Sequence, residues 1–107
     1  LIDDRLFGLL GLCQRAGKLK SGEFAVEKSI KGHKSHLVIV PEDASDNTKK
    51  KFKNMTTYRD IPYFELGTKE KLGSQLGKSE RSSISIEDEG FATAMIKYID
   101  GGNVNVR

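Results

Sequence analysis

The stretch Ala16-Gly17-Lys18-Leu19-Lys20-Ser21-Gly22-Glu23 gathers two lysines, a serine and two glycines just ahead of a segment with helical periodicity. That combination can hold an anion. A glycine at a helix start leaves first-turn N–H groups open, and the positive end of the helix dipole favours negative charge there. Lys18 and Lys20 precede that point, while Lys28, Lys31 and Lys34 fall at or after the same helix. An ordinary capped helix with solubilising lysines has the same local composition, so the stretch by itself leaves both readings open.

Other chemistries find less support. Gly77-Lys78-Ser79 ends like a phosphate loop, but the first glycine of such a loop would fall at position 72, which is Leu72, and Gly73 comes one residue late. The segment also leaves a helix and enters a strand, the reverse of a phosphate loop. Gly11 through Gly17-Lys18 fails as well, with its first glycine one place early and Leu19 where Ser or Thr would meet magnesium. Cys13 lies on an apolar stripe and reads as a small core residue. His33 and His36 read as a surface turn and a strand start, and their spacing from Cys13 matches no zinc site. The carboxylates of Glu42-Asp43 and Glu87-Asp88-Glu89 fall where strands end and helices begin, so capping and dipole matching account for them. We therefore expect no catalytic residue, no metal ligand and no cofactor, and a protein that is not an enzyme.

The elements that must position the lysines follow from periodicity. Ile2, Leu6, Leu9, Leu10 and Cys13 share one helical face, giving a first helix from Asp3 to Ala16 that stops at Gly17. Gly8 and Gly11 inside it each cost about 1 kcal/mol relative to Ala, which predicts another backbone packed closely against them. Lys18-Leu19-Lys20 reads as a short link. Ser21 or Gly22 caps a second helix running to about Lys31, with Val26 and Ile30 inward. His36 to Val40 is a strand covered on both faces and ended by Pro41. Ser45 caps a third helix with Thr48, Phe52 and Met55 on one face and Lys49, Lys50, Lys51 and Lys53 outward.

Ile61 to Leu66 is a strand entered through Pro62, which suits an edge. Thr68 caps a short helix carrying Leu72 and Leu76 and closed by Gly77. Ser82 to Ile86 alternates as a strand, and Asp88 caps a last helix on which Phe91, Met95, Tyr98 and Ile99 share a face. Gly101-Gly102 ends that helix, and the tail from Asn103 to Arg107 is expected to fray. Strands alternating with helices predict an α/β fold: a single domain over residues 1–107, with helices on both faces of a small mixed sheet of about four strands.

Composition bounds the rest. The chain has 107 residues, of which 36% are apolar and 31% charged, with a formal charge of +3. The longest clean apolar run, Leu37 to Val40, is far short of the roughly 18–20 residues of a membrane span. The opening Leu1-Ile2-Asp3-Asp4 lacks the basic and apolar regions of a signal peptide, and one cysteine cannot form a disulfide within the chain. A compact cytoplasmic domain with no membrane partner is expected, as a monomer. The charge is uneven. Residues 1–54 carry eleven bases against seven acids, +4, whereas residues 55–107 carry seven against eight, −1. A positive side of this kind suits a polyanion.

The marks Arg15-Ala-Gly-Lys18, Ser21-Gly22-Glu23, Leu37-Val-Ile-Val40 leading into Glu42-Asp43-Ala44-Ser45, Asn47-Thr-Lys-Lys50, Ile61-Pro62, Leu72-Gly73 and Gly77-Lys78-Ser79-Glu80-Arg81 together make the chain resemble a known family. It is the kink-turn RNA-binding ribosomal protein family, which includes the archaeal large-subunit protein L-seven-Ae, and the likeness is greatest to its small bacterial YlxQ-like branch. It covers about residues 3–99. The family is a three-layer α-β-α sandwich, in agreement with the pattern above.

In members that bind kink-turns, a Gly-x-Asn-Glu-x-x-Lys motif opens the second helix, reaching base edges of tandem sheared G·A pairs while its lysine holds backbone. Such readout needs a distortion, because the major groove of regular A-form RNA is too narrow to enter. Aligned without gaps from Glu42-Asp43, the motif's Gly falls on Gly22 and its Lys on Lys28. The Asn position becomes Phe24 and the Glu position Ala25, neither of which offers a side-chain hydrogen bond. Glu23 could serve as a displaced polar reader, and Phe24 either stacks on a base or packs in the core.

The family's second contact is the loop before the last strand, here Gly77 to Arg81, where Lys78 and Arg81 suit phosphates beside Ser79. The resemblance thus implies a non-enzymatic protein that binds structured RNA, either ribosomal RNA on the ribosome or a kink-turn-like motif. The implied surface is Lys18, Lys20, Ser21, Gly22, Glu23, Phe24, Lys28, Lys31, Lys34, Lys78, Ser79 and Arg81. A protein-interaction adaptor on the same scaffold is the alternative, since fold alone does not dictate function.

Overall fold

Leu37–Val40 forms a strand buried on both faces and anchors everything around it. In the computed structural model, which describes residues 4–100, the elements in chain order are α1 (Asp4–Arg15), β1 (Leu19–Ser21), α2 (Glu23–Lys31), β2 (Leu37–Val40), α3 (Asp46–Tyr58), β3 (Tyr63–Glu65), α4 (Lys69–Gln75), β4 (Ile84–Ile86) and α5 (Glu89–Asp100). The sheet runs β1-β4-β2-β3. β4 is antiparallel to both β1 and β2, with Leu19 and Leu37 each opposite Ile86, whereas β3 runs parallel to β2, with Val38 opposite Tyr63. The sheet is therefore mixed and β3 is an edge, as the entry through Pro62 predicts.

Two apolar clusters make three layers. Leu6, Leu10 and Cys13 of α1, Leu72 of α4 and Met95 of α5 pack with Leu37, Ile39, Ile84 and Ile86 on one face of the sheet. Val26 and Ile30 of α2 and Phe52 of α3 pack with Val38 and Val40 on the other. Local chemistry sets the helix starts. Ser45 Oγ accepts from the Thr48 N–H at 3.1 Å, Thr68 Oγ1 from the Lys71 N–H at 3.1 Å, and Asp88 Oδ2 from the Phe91 N–H at 2.8 Å. Each bond satisfies one of the donors that a helix start leaves without an intrahelical partner.

Four readings are corrected. The link Lys18-Leu19-Lys20 enters the sheet as β1, an edge strand too short to show a period of two. Gly8 meets nothing within 4 Å of an added Cβ and Gly11 only the Arg15 guanidinium, so no backbone packs there. The close approach falls at Gly73 instead, where a Cβ would overlap the Ser79 carbonyl. Lys49 and Lys51 on α3 are half-buried in ion pairs and do not stand clear in solvent. Finally, the alternation of Ser82 to Ile86 hides no solvent face. Ser83 and Ser85 are buried, because α2 lies over them. Ile2, the Gly101-Gly102 stop and the tail from Asn103 lie outside the described residues.

Candidate nucleic-acid interface

The site begins at Gly22. Its φ of 96° and ψ of 151° place it in a backbone region that a side chain would strain. Its N–H donates to the Ser83 carbonyl at 3.0 Å, and its own carbonyl accepts from Val26 at 2.9 Å, starting α2. With no side chain to cap it, the first turn faces outward without a capping oxygen. Burial of Val26 and Ile30 then fixes which side of α2 meets the sheet. A hydroxyl chain fixes its height: Ser29 and Ser85 are bonded at 2.8 Å, and Ser85 donates to Ser35 at 2.7 Å. Each hydroxyl replaces the water it loses on burial, which keeps three serines from destabilising the interface.

With α2 held this way, Phe24 and Lys28, one turn apart, stand on the same outward face. Lys20 reaches that face from β1 and Lys34 from the turn after α2. With Ala25, Ser29, Gly32 and Glu87 they line a groove of about 580 Å³. Lys34 comes into range because His33 takes a left-handed turn at φ 61° and the Lys34 N–H donates to the Ser29 carbonyl at 3.0 Å. Phe24 is 81% exposed, so of its two readings the core is excluded. Among the described residues, Lys18, Lys20, Lys28 and Lys34 have no carboxylate in salt-bridge range.

Other expected contributors are used differently. Lys31 pairs with Glu27 at 2.9 Å and does not line the groove. Lys51 of α3 holds Glu27 at 2.6 Å and Glu23 at 3.3 Å, so Glu23 faces α3 and is partly neutralised. The Lys51 and then the Lys31 hydrogen bonds hold the Glu27 carboxyl down to about 2 and, from the other side, raise Lys51. A carboxyl depressed in the folded state stabilises above its unfolded value and loses that contribution as pH falls through the folded one. The Glu27–Lys51 ion pair is therefore expected to persist through pH 4.5, the ordinary value, and to fail only towards about 2. A carbon-detected NMR titration should place the Glu27 midpoint there and find it higher in Lys51→Met, where only the Lys31 contact still holds it down; an ordinary midpoint in the parent chain would refute the pairing.

The 77–81 loop reaches the same neighbourhood from far away in sequence. Arg81 Nε donates to Ser21 Oγ at 3.0 Å, and Arg81 Nη1 donates to Ser79 Oγ at 3.3 Å and the Glu80 carbonyl at 3.0 Å. Arg81 thus latches the loop to the end of β1, leaving Lys78 and Ser79 exposed beside it. The two expected contact regions are brought together. Glu87, Ser29, Gly32 and Ala25 were missed as groove residues. Glu87 arrives through its N–H, which donates to the Lys18 carbonyl at 2.7 Å, and the other three carry no recognisable chemistry of their own.

Cys13 is buried, donates its thiol to the Lys18 carbonyl at 3.3 Å, and is pushed up to about 11 by burial first and by the Asp88 and Glu87 carboxylates after it. Such a thiol stays protonated and is no nucleophile at neutral pH. Among the described residues no cluster of His, Cys, Asp and Glu could hold a metal ion, and no helix is long and apolar enough to cross a membrane.

Comparison with known proteins follows the same outline. RNA-binding protein YlxQ of Bacillus subtilis (strain 168) is 40% identical over 94 residues, 88% of this chain and 94% of the relative. Large ribosomal subunit protein eL8 of Thermoplasma volcanium is 29% identical over 99 residues, 92% of this chain and 82% of the relative. A solved Bacillus halodurans protein of unknown function superposes with a TM-score of 0.88 at 36% identity, covering 92% of this chain and 99% of its own. The Giardia lamblia 15.5kD RNA binding protein shares the fold, with a TM-score of 0.76 at 20% identity over 90% of this chain and 85% of its own. Residues 4–96, from the start of α1 well into α5, match the family model as one continuous stretch, and the chain belongs to the ribosomal protein L7Ae/L30e/S12e/Gadd45 family.

Proposed function

We propose that this chain binds structured RNA across the α2 groove and performs no catalysis. The observation that carries the reading is the convergence of Lys20, Lys28 and Lys34 from three elements on one groove, without carboxylates in salt-bridge range among the described residues. Unpaired ammonium groups held together in this way repel one another, and a phosphate backbone relieves the repulsion. The names of the YlxQ relatives and of the archaeal ribosomal relatives support the same partner. Ribosomal RNA is accordingly the first candidate, and the local form is kink-turn-like: a helix interrupted by unpaired nucleotides, since a regular A-form duplex would close its major groove to α2.

Among the described residues the Lys18, Lys20, Lys28, Lys34 and Lys78 ammonium groups have no carboxylate in salt-bridge range and can meet phosphate, with Arg81 committed to the loop. If they neutralise about five phosphates, the observed association constant should fall with salt at a log–log slope of about −4 to −5, at roughly 0.9 per phosphate. Fluorescence anisotropy with a labelled ribosomal RNA fragment at several salt concentrations reads that slope directly. A slope near zero would reject the phosphate contacts and favour the adaptor alternative.

A further inference from the structure

We infer that Phe24 is a stacking platform for an unpaired base, so that the groove takes a bulged nucleotide of an RNA helix instead of reading the edges of tandem sheared G·A pairs; this rests on the RNA reading above. The ring is 81% exposed although both core clusters are complete without it. Another exposed aromatic, Tyr58, has the Arg59 guanidinium 5.2 Å from its ring centroid. Among the described residues no cation lies over the Phe24 ring, although three lysines surround the groove it lines. An aromatic face left open amid cations is the arrangement that holds single-stranded nucleic acid, in which bases stack while ammonium groups take the flanking phosphates.

Neighbouring side chains agree. Ala25 supplies no hydrogen bond with which to grip a base-pair edge and takes little space beside the ring. Glu87, the carboxylate that lines the groove, repels phosphate and can accept from the exocyclic amine of a base. At about 580 Å³ the groove lies within the range of sites that enclose small molecules, about 300–1,000 Å³.

The chain contains no tryptophan, so Phe24→Trp installs a sole reporter at the platform. The probes are an RNA hairpin with a three-nucleotide bulge between Watson–Crick stems, free of G·A pairs, and the same hairpin with the bulge deleted. Emission from Phe24→Trp should be quenched by the bulged hairpin and not by the continuous one, while Tyr58→Trp, 83% exposed at the end of α3, should stay unchanged. Phe24→Ala should fold normally and bind the bulged hairpin about 5- to 150-fold more weakly, the loss of one base–aromatic stack.

Full affinity in Phe24→Ala with an unquenched Phe24→Trp signal, while the double reversal of Lys20 and Lys28 to glutamate still removes binding, overturns the platform and leaves the RNA reading standing. If the parent chain binds the ribosomal RNA fragment but neither hairpin, or binds both hairpins alike, the platform is overturned and the RNA reading stands; if it binds none of the three, both fall.

Discussion

Lys20→Glu combined with Lys28→Glu is expected to weaken RNA binding by more than about 100-fold while the fold survives. Each lysine would lose a charge-assisted contact of about 1.5–3 kcal/mol, so the pair forfeits about 3 kcal/mol or more, and each 1.4 kcal/mol is tenfold. The reversed charges then join Glu87 in the groove, leaving Lys34 facing three carboxylates. Both lysines are exposed and free of ion pairs among the described residues, so stability should change by no more than about 0.5 kcal/mol.

Anisotropy titration together with a thermal melt separates the two effects. Lys31→Gln is the internal control, because Lys31 is already committed to Glu27 and lies off the groove; its affinity should stay close to that of the parent. Undiminished binding by a folded double variant would move the interface to another face of the molecule.

Gly73→Ala is expected to destabilise the chain, although it adds only a methyl group. In most helices this change gains up to about 1 kcal/mol from propensity. Here the new methyl would overlap the Ser79 carbonyl and press on Glu80 Cα at 3.0 Å, and both are backbone atoms with no rotamer to give way. The loop cannot simply retreat, since the Lys78 N–H donates to the Gly73 carbonyl at 2.9 Å and the Arg81 N–H to the Lys69 carbonyl at 3.1 Å. Overpacking of this kind costs about 1–3 kcal/mol and sometimes more, so the clash outweighs the propensity gain.

We expect a net loss of about 1–2 kcal/mol. At about 4–8 °C per kcal/mol for a domain near this size, the melting temperature should fall by about 4–16 °C. Gly8→Ala is the contrast: the same change in a helix with open space around it should raise stability by about 0.5–1 kcal/mol. A melting temperature that is unchanged or higher in Gly73→Ala would show that the 77–81 loop does not depend on the close contact. Because that loop carries the Arg81–Ser21 latch, the variant should also loosen the end of β1 where the groove begins.

Local signals in the chain settled much of this molecule in advance. The caps at Ser45, Thr68 and Asp88 act over three or four residues, and the stripe of Leu6, Leu10 and Cys13 over three turns; each is stabilised by its own neighbours, so each was legible. The near-continuous apolar run of β2 likewise announced a strand covered on both sides. The positions of Lys20 before α2, Lys28 on it and Lys34 after it could be read the same way.

The tertiary structure decided what depended on a partner distant in sequence. β1 is a strand because β4 supplies its hydrogen bonds, and three residues hold too little pattern to declare that. Lys31 and Glu23 left the expected surface because packing of α2 on α3 brought Lys51 within reach of Glu23 and Glu27, and attraction at contact range outcompetes solvation only when the backbone has already set the geometry. Phe24 is apolar and sits in an amphipathic helix, so its type argued for burial. The direction in which Val26, Ser29 and Ile30 turned that helix put its ring in water instead, and no residue type encodes the rotation of a helix on its sheet.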